Sequence, residues 1–195
     1  MNRCMIMYED NYKNTKSTGI AELDDFLNLI ADLDEELELY ALGGTAMVLK
    51  GIKESTKDID FITTKDKQVL RNLLIQAGLK EKSSGIPNIW NFEDIRLDFF
   101  YDDGQIMGVP LTTNWKEDSK LIKQIGKIKL FRLNWLYIII TKIARAENRD
   151  YEDMITIIRK ENINFESLKK RYYEIAETSL IADYDAKFRH LERSL

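Results

Sequence analysis

The stretch ALGGTAMVLKGIKESTKDIDFIT, Ala41 to Thr63, decides the fold. In it, Gly43 and Gly44 are followed by thirteen residues and then by Asp58, Ile59 and Asp60. The segment KDIDFIT alternates and is rich in β-branched residues, which predicts a strand. Successive side chains of a strand point to opposite faces, so Asp58 and Asp60 share one face while Ile59 enters the core. Two carboxylates that close repel unless a cation lies between them. Oxygen ligands with a few waters suit Mg²⁺, and a phosphate can replace some of those waters. Ahead of the acids, LELYALGG reads as a short strand ending in the glycines, and TAMVLKGI as a helix opened by Thr45. A glycine pair at such a junction turns the backbone sharply and lets it approach a ligand closely. The helix start offers free N–H groups and a positive dipole end to an anion. Thr45 can cap that helix or donate its hydroxyl to a phosphate.

Working outward, the segment IRLDFF supplies a third carboxylate. Asp98 stands between Leu97 and Phe99, and an acid in an otherwise apolar strand is costly to bury without a cation. A two-metal site usually draws such a third acid from a neighbouring strand. NIWNFEDIRLDFFYDDG as a whole reads as a hairpin turning near Glu93 and Asp94, with its second strand at about 95 to 101. KLIKQIGKIKLFRL is a second hairpin with Gly126 in its middle. An amphipathic helix precedes the strand pair: Ile20, Leu23, Phe26, Leu27, Ile30 and Leu33 recur at helical spacing up to about Leu37. KDKQVLRNLLIQAGL is another, with Gly78 as its stop. After Leu133 the pattern is helical, at about 133–147, 150–161, 164–178 and 179–193. These elements predict an α+β or α/β fold, with a lead-in over residues 1–18, a domain over 19–132 and a helical region over 133–195 packed on it.

The bulk composition narrows the chemistry. The chain has one cysteine and one histidine among 195 residues, which excludes an internal disulfide and the usual Cys/His zinc sites. The start, MNRCMIMYED, has no apolar run of signal-peptide length. LNWLYIIITKIA is too short and too soon broken by Lys142 to span a bilayer, so a cytoplasmic home with no membrane partner is expected. A net charge of −4 argues against coating nucleic acid by charge alone. The run LKKRYYE sets two tyrosines beside three cations and could meet RNA, although such runs are commonly solvated faces.

The series Gly43-Gly44, a short helix, Asp58-Ile59-Asp60 and a later strand Asp98 resembles the nucleotidyltransferase superfamily of the DNA polymerase β type. It looks most like the small stand-alone prokaryotic members related to type IV toxin–antitoxin toxins. KIARAENRDYEDM is similar to a helical segment of those proteins, with Lys142, Arg149, Asp150 and Asp153 at the matching positions. The likeness covers roughly residues 37–160 and implies a mixed sheet flanked by helices. A basic residue usual before the acids appears here as Lys53 and Lys57, which keep the charge without bidentate geometry. The resemblance implies a nucleoside triphosphate lying against Gly43, Gly44 and Thr45, with Lys57 and Lys142 as cations. It implies Asp58, Asp60 and Asp98 holding two Mg²⁺ ions, and Asp98 also activating an acceptor hydroxyl on tRNA or a protein. It also implies a toxin-like role with a cognate antitoxin. Two other readings use the same residues: a fold-bearing nucleotide- or RNA-binding or protein-interaction module without turnover, and a metal-dependent nuclease or phosphohydrolase. Asp150 and Asp153 are equally explained as first-turn acids of a capped helix.

Overall fold

A computed structural model of the chain describes residues 16–33, 35–82 and 88–195. It divides into two compact units, residues 1–101 with 122–131, and residues 102–121 with 132–195. The helical tail therefore shares its unit with residues 102–121.

The first unit opens with helix α1, Ile20–Ala31, and strand β1, Leu37–Ala41. Helix α2, Gly43–Leu49, strand β2, Asp58–Thr63, and helix α3, Lys67–Gln76, follow. Strands β3, Lys80–Glu81, β4, Ile89–Phe92, and β5, Ile95–Tyr101, come next. Later in the chain, β8, Lys120–Ile125, and β9, Ile128–Arg132, complete a seven-stranded sheet ordered β3-β4-β5-β2-β1-β9-β8. β2 is antiparallel to β1 and parallel to β5, while β4 and β5 are antiparallel, so the sheet is mixed, as the resemblance implied.

Apolar packing sets the orientation of β2. Ile59, Phe61 and Ile62 are fully buried, whereas Asp58 and Asp60 are half-buried, so alternation is strict at the first turn of the strand and lost beyond it. Phe61 and Phe99 are register partners on β2 and β5, with ring centroids 6.0 Å apart, and Phe26 of α1 lies 6.1 Å and 6.4 Å from them. Burying each such ring contributes about 1.5–3 kcal/mol, enough to force Asp58 and Asp60 to the opposite face. α1 ends at Ala31 rather than at Leu37, because Leu37 is 4% exposed as the first residue of β1. The predicted hairpin turns at Glu93 and Gly126 are present, both in the left-handed region with φ of 53° and 54°.

Residues 1–15 of the expected lead-in lie outside the described residues. Its last three are held by the backbone: Lys16 N–H donates to Asp94, and Thr18 exchanges two bonds with Thr56 at 2.7 and 2.8 Å.

The second unit contains a hairpin absent from the sequence expectation, β6, Gln105–Ile106, and β7, Val109–Pro110. It turns at Met107 and Gly108 with φ of 50° and 79°, the positive values a two-residue turn needs to match strand twist. Helices α4, Trp135–Arg145, α5, Asn148–Lys160, α6, Phe165–Ala176, and α7, Tyr184–Ser194, supply its core. Ile138, Ile139, Ile140 and Ile143 are fully buried, and Tyr172 stacks on Phe188 with centroids 4.9 Å apart. The most apolar stretch of the chain is thus a core helix. Among the described residues, no helix is long and apolar enough to cross a membrane.

Candidate active site

The register of β2 against β5 brings the three predicted acids together. Asp60 is paired with Asp98 and Asp58 with Arg96, so all four side chains leave one face at adjoining positions. Asp58, Asp60 and Asp98 each offer an oxygen, and the three oxygens lie within 4.8 Å of one another. Adjacent like charges at this spacing are destabilising without a counter-charge. Part of that counter-charge is Arg96, whose Nε donates to Asp98 Oδ1 at 2.7 Å and Nη2 to Oδ2 at 2.6 Å. Burial pushes the Asp98 carboxyl above its ordinary value, Arg96 pulls it back, and the charge of Asp58 adds to the upward push; the net shift is upward.

The glycines flank this cluster in a way the sequence did not convey. Both belong to the first turn of α2, with Leu42 as the N-cap, and do not form a separate loop before a Thr45 cap. Gly43 has φ of +54°, and a Cβ there would stand 2.9 Å from Asp60 Oδ2. The backbone of Gly43 therefore lies against a carboxylate of the cluster, in space that any side chain would fill. Gly44 is needed for another reason, because a Cβ there would meet Thr56 Oγ1 at 2.1 Å and Thr56 Cβ at 2.8 Å.

Thr45 and Lys142 have partners that differ from the expected triphosphate. Thr45 is 1% exposed, and its hydroxyl accepts from the Asp60 N–H at 2.9 Å and donates to the Asp58 carbonyl at 3.4 Å. It ties α2 to the backbone that carries both acids. Lys142 belongs to the second unit and is 4% exposed. Its ammonium donates to Asp150 at 3.2 Å and to Asp153 at 2.7 Å. Arg145 adds two bonds to Asp150 at 2.8 and 2.5 Å, and Asp150 closes a capping box with the Glu147 N–H at 3.2 Å. Burial raises the Asp150 carboxyl, but these cations and the backbone donor outweigh it and hold it below the ordinary value. Asp150 is thus a first-turn acid of its helix, whereas Asp153 lies in the second turn and pairs with Lys142. Lys57 is exposed directly before Asp58, and Lys53 is half-buried. The residues that sequence reasoning missed are Arg96 and Thr56. The first was visible in IRLDFF, since residues two apart on a strand share a face.

A family model described as nucleotidyltransferase of unknown function (DUF6036) matches residues 19–194. The chain belongs to this family. It is an enzyme of the nucleotidyltransferase class. Solved structures agree on the fold. This nucleotidyltransferase is similar to ANT(2″)-Ia in complex with adenylyl-2″-tobramycin, at 14% identity and a TM-score of 0.58, over 81% of this chain and 98% of that one. The solution structure of the antibiotic-resistance factor ANT(2″)-Ia matches at 15% identity and a TM-score of 0.58, over 90% and 100% of the two chains. An antigenic nucleotidyltransferase-like protein from Paracoccidioides brasiliensis matches at 16% identity and a TM-score of 0.51, over 74% and 78%. Comparison with curated protein sequences gives no match.

Proposed function

We propose that this nucleotidyltransferase moves a nucleoside monophosphate from a nucleoside triphosphate to a hydroxyl of RNA, tRNA above all, or of a protein. The observation that carries this is the convergence of Asp58, Asp60 and Asp98 within 4.8 Å beside the backbone of Gly43. Three carboxylates gathered on one face concentrate negative charge, and an all-oxygen donor set of this kind suits a hard divalent cation such as Mg²⁺. Asp58, Asp60 and Asp98 would hold two such ions, which supply Lewis-acid neutralisation of the phosphates when bound.

The chain's own groups account for the rest. The backbone of Gly43 and Gly44 receives the triphosphate, and Lys57 offers it an exposed cation. The acceptor oxygen attacks the α-phosphorus, the bond to the bridging oxygen breaks, and pyrophosphate leaves. The acceptor proton passes to a carboxylate oxygen of Asp98. Thr45 keeps Asp58 and Asp60 in register by bonding the strand between them. Neither its hydroxyl nor the Lys142 ammonium is assigned to the nucleotide. A toxin-like activity on tRNA, restrained by a cognate antitoxin, is the physiological role the sequence resemblance supports.

The test incubates the protein with Mg²⁺, one α-³²P-labelled triphosphate at a time, and an acceptor: total tRNA, the protein itself, or an aminoglycoside. The last is included because the similar ANT(2″)-Ia structure holds adenylyl-2″-tobramycin. Label on tRNA or protein, absent from an Asp58→Ala, Asp60→Ala double variant, supports the proposal. Label on the aminoglycoside alone overturns the acceptor assignment, and no Mg²⁺-dependent label overturns the function.

A further inference from the structure

Both oxygens of Asp98 already face a cation. The Arg96 guanidinium grips them at 2.7 and 2.6 Å as a two-pronged fork, and the two side chains are only 10% and 15% exposed. Unlike an ammonium, a guanidinium is planar and permanently charged, so this grip fixes the plane of the carboxylate as well as its charge. Arg96 is also the register partner of Asp58, which places it inside the acidic cluster and not at its rim. A carboxylate offers about four acceptor positions. The fork takes one on each oxygen and leaves one on each for a metal or a proton.

We infer that Arg96 is a positioning residue with two opposed effects, an inference that rests on the metal site proposed above. It holds the carboxylate of Asp98 in one orientation toward Asp58 and Asp60. Its charge also opposes a divalent cation in the same cluster, so the metal binds weakly to the nucleotide-free enzyme. The phosphates of an arriving triphosphate restore the missing negative charge, and metal and nucleotide then bind together. The built-in cation makes metal occupancy depend on substrate.

Mn²⁺ binding followed by electron paramagnetic resonance separates this from a plain structural ion pair. Wild type, Arg96→Gln and Arg96→Lys are titrated with Mn²⁺ with and without a nucleoside triphosphate, beside the Asp58→Ala, Asp60→Ala double variant. A single charge within about 4–6 Å changes the ionisation of a carboxylate by one to three pK units, so Arg96→Gln should bind Mn²⁺ at least about tenfold tighter without nucleotide. Its transfer rate should fall at saturating metal because Asp98 is no longer held. Arg96→Lys keeps the charge and loses the fork, so it should keep wild-type Mn²⁺ affinity within about twofold while losing rate. If folded Arg96→Gln binds Mn²⁺ no tighter than wild type, the charge effect is overturned. If Arg96→Lys transfers at the wild-type rate, the orienting effect is overturned, and this variant serves as well should Arg96→Gln not fold. If wild type binds no Mn²⁺ even with nucleotide present, the metal site itself fails, and the inference with it.

Discussion

Replacing Gly44 with alanine tests why a glycine stands there. The added methyl would lie 2.1 Å from Thr56 Oγ1 and 2.8 Å from Thr56 Cβ. Carbon atoms prefer about 3.5–4.0 Å, so Thr56 must retreat by roughly 1 Å. Turning its side chain cannot relieve the contact with Cβ, and its backbone is held to Thr18 by bonds of 2.7 and 2.8 Å. Overpacking of this kind costs about 1–3 kcal/mol, of which alanine recovers at most about 1 kcal/mol through helix propensity. The net loss of about 1–2 kcal/mol lowers Tm by about 2–8 °C for a chain of this length. Differential scanning fluorimetry of Gly44→Ala, Thr56→Gly and the double variant measures the loss directly. A coupling of at least about 1 kcal/mol is expected, since neighbours in contact are non-additive. Wild-type stability for Gly44→Ala would refute the packing argument.

Other perturbations separate the roles of the remaining polar residues. Asp98→Asn should lower the transfer rate by about 10²–10⁴-fold, the usual contribution of a proton-transfer group, without lowering Tm in EDTA, which a melting curve beside the assay will show. Asp98 takes up its proton more readily in the folded state. The metal-free enzyme should therefore lose stability as pH rises from the ordinary carboxylate value of about 4 toward the raised one, and urea titrations of Asp98→Asn should lack that slope. Lys142→Met should cost about 3 kcal/mol, the lower end for breaking a buried ion pair, because Arg145 still holds Asp150. Its KM for triphosphate should be unchanged, and a raised KM with normal stability would return Lys142 to the nucleotide. Asp150 is held below the ordinary value, so the stability it contributes is complete above pH about 4 and is lost as pH falls through its lowered value. Comparing wild type with Asp150→Asn by urea titration across that range checks the sign.

The two-residue alternation of Asp58 and Asp60 was legible because one fully buried residue, Ile59, separates them. Asp98 was legible from its apolar flanks. The hairpin turn at Glu93 and the stop at Gly78 follow from local chemistry and could be placed within a residue. What could not be read depends on partners distant in the chain. The parallel register that sets Asp60 beside Asp98 joins residues 38 apart and has no local signature. The Thr45 hydroxyl bonds a strand 15 residues on, and Thr56 fills the space above Gly44. From the sequence, Thr45 and Gly44 looked free for a ligand. Lys142 looked like a cation aimed at phosphate because the acids that hold it, Asp150 and Asp153, belong to the next helix.

The most direct test is a crystal structure of the enzyme with Mn²⁺ and a non-hydrolysable nucleoside triphosphate. The account predicts anomalous density between Asp58, Asp60 and Asp98, at least one carboxylate oxygen within about 2.2 Å of each ion, and the triphosphate against Gly43. Metal bound elsewhere, or nucleotide bound with the three carboxylates still apart from any ion, would contradict it.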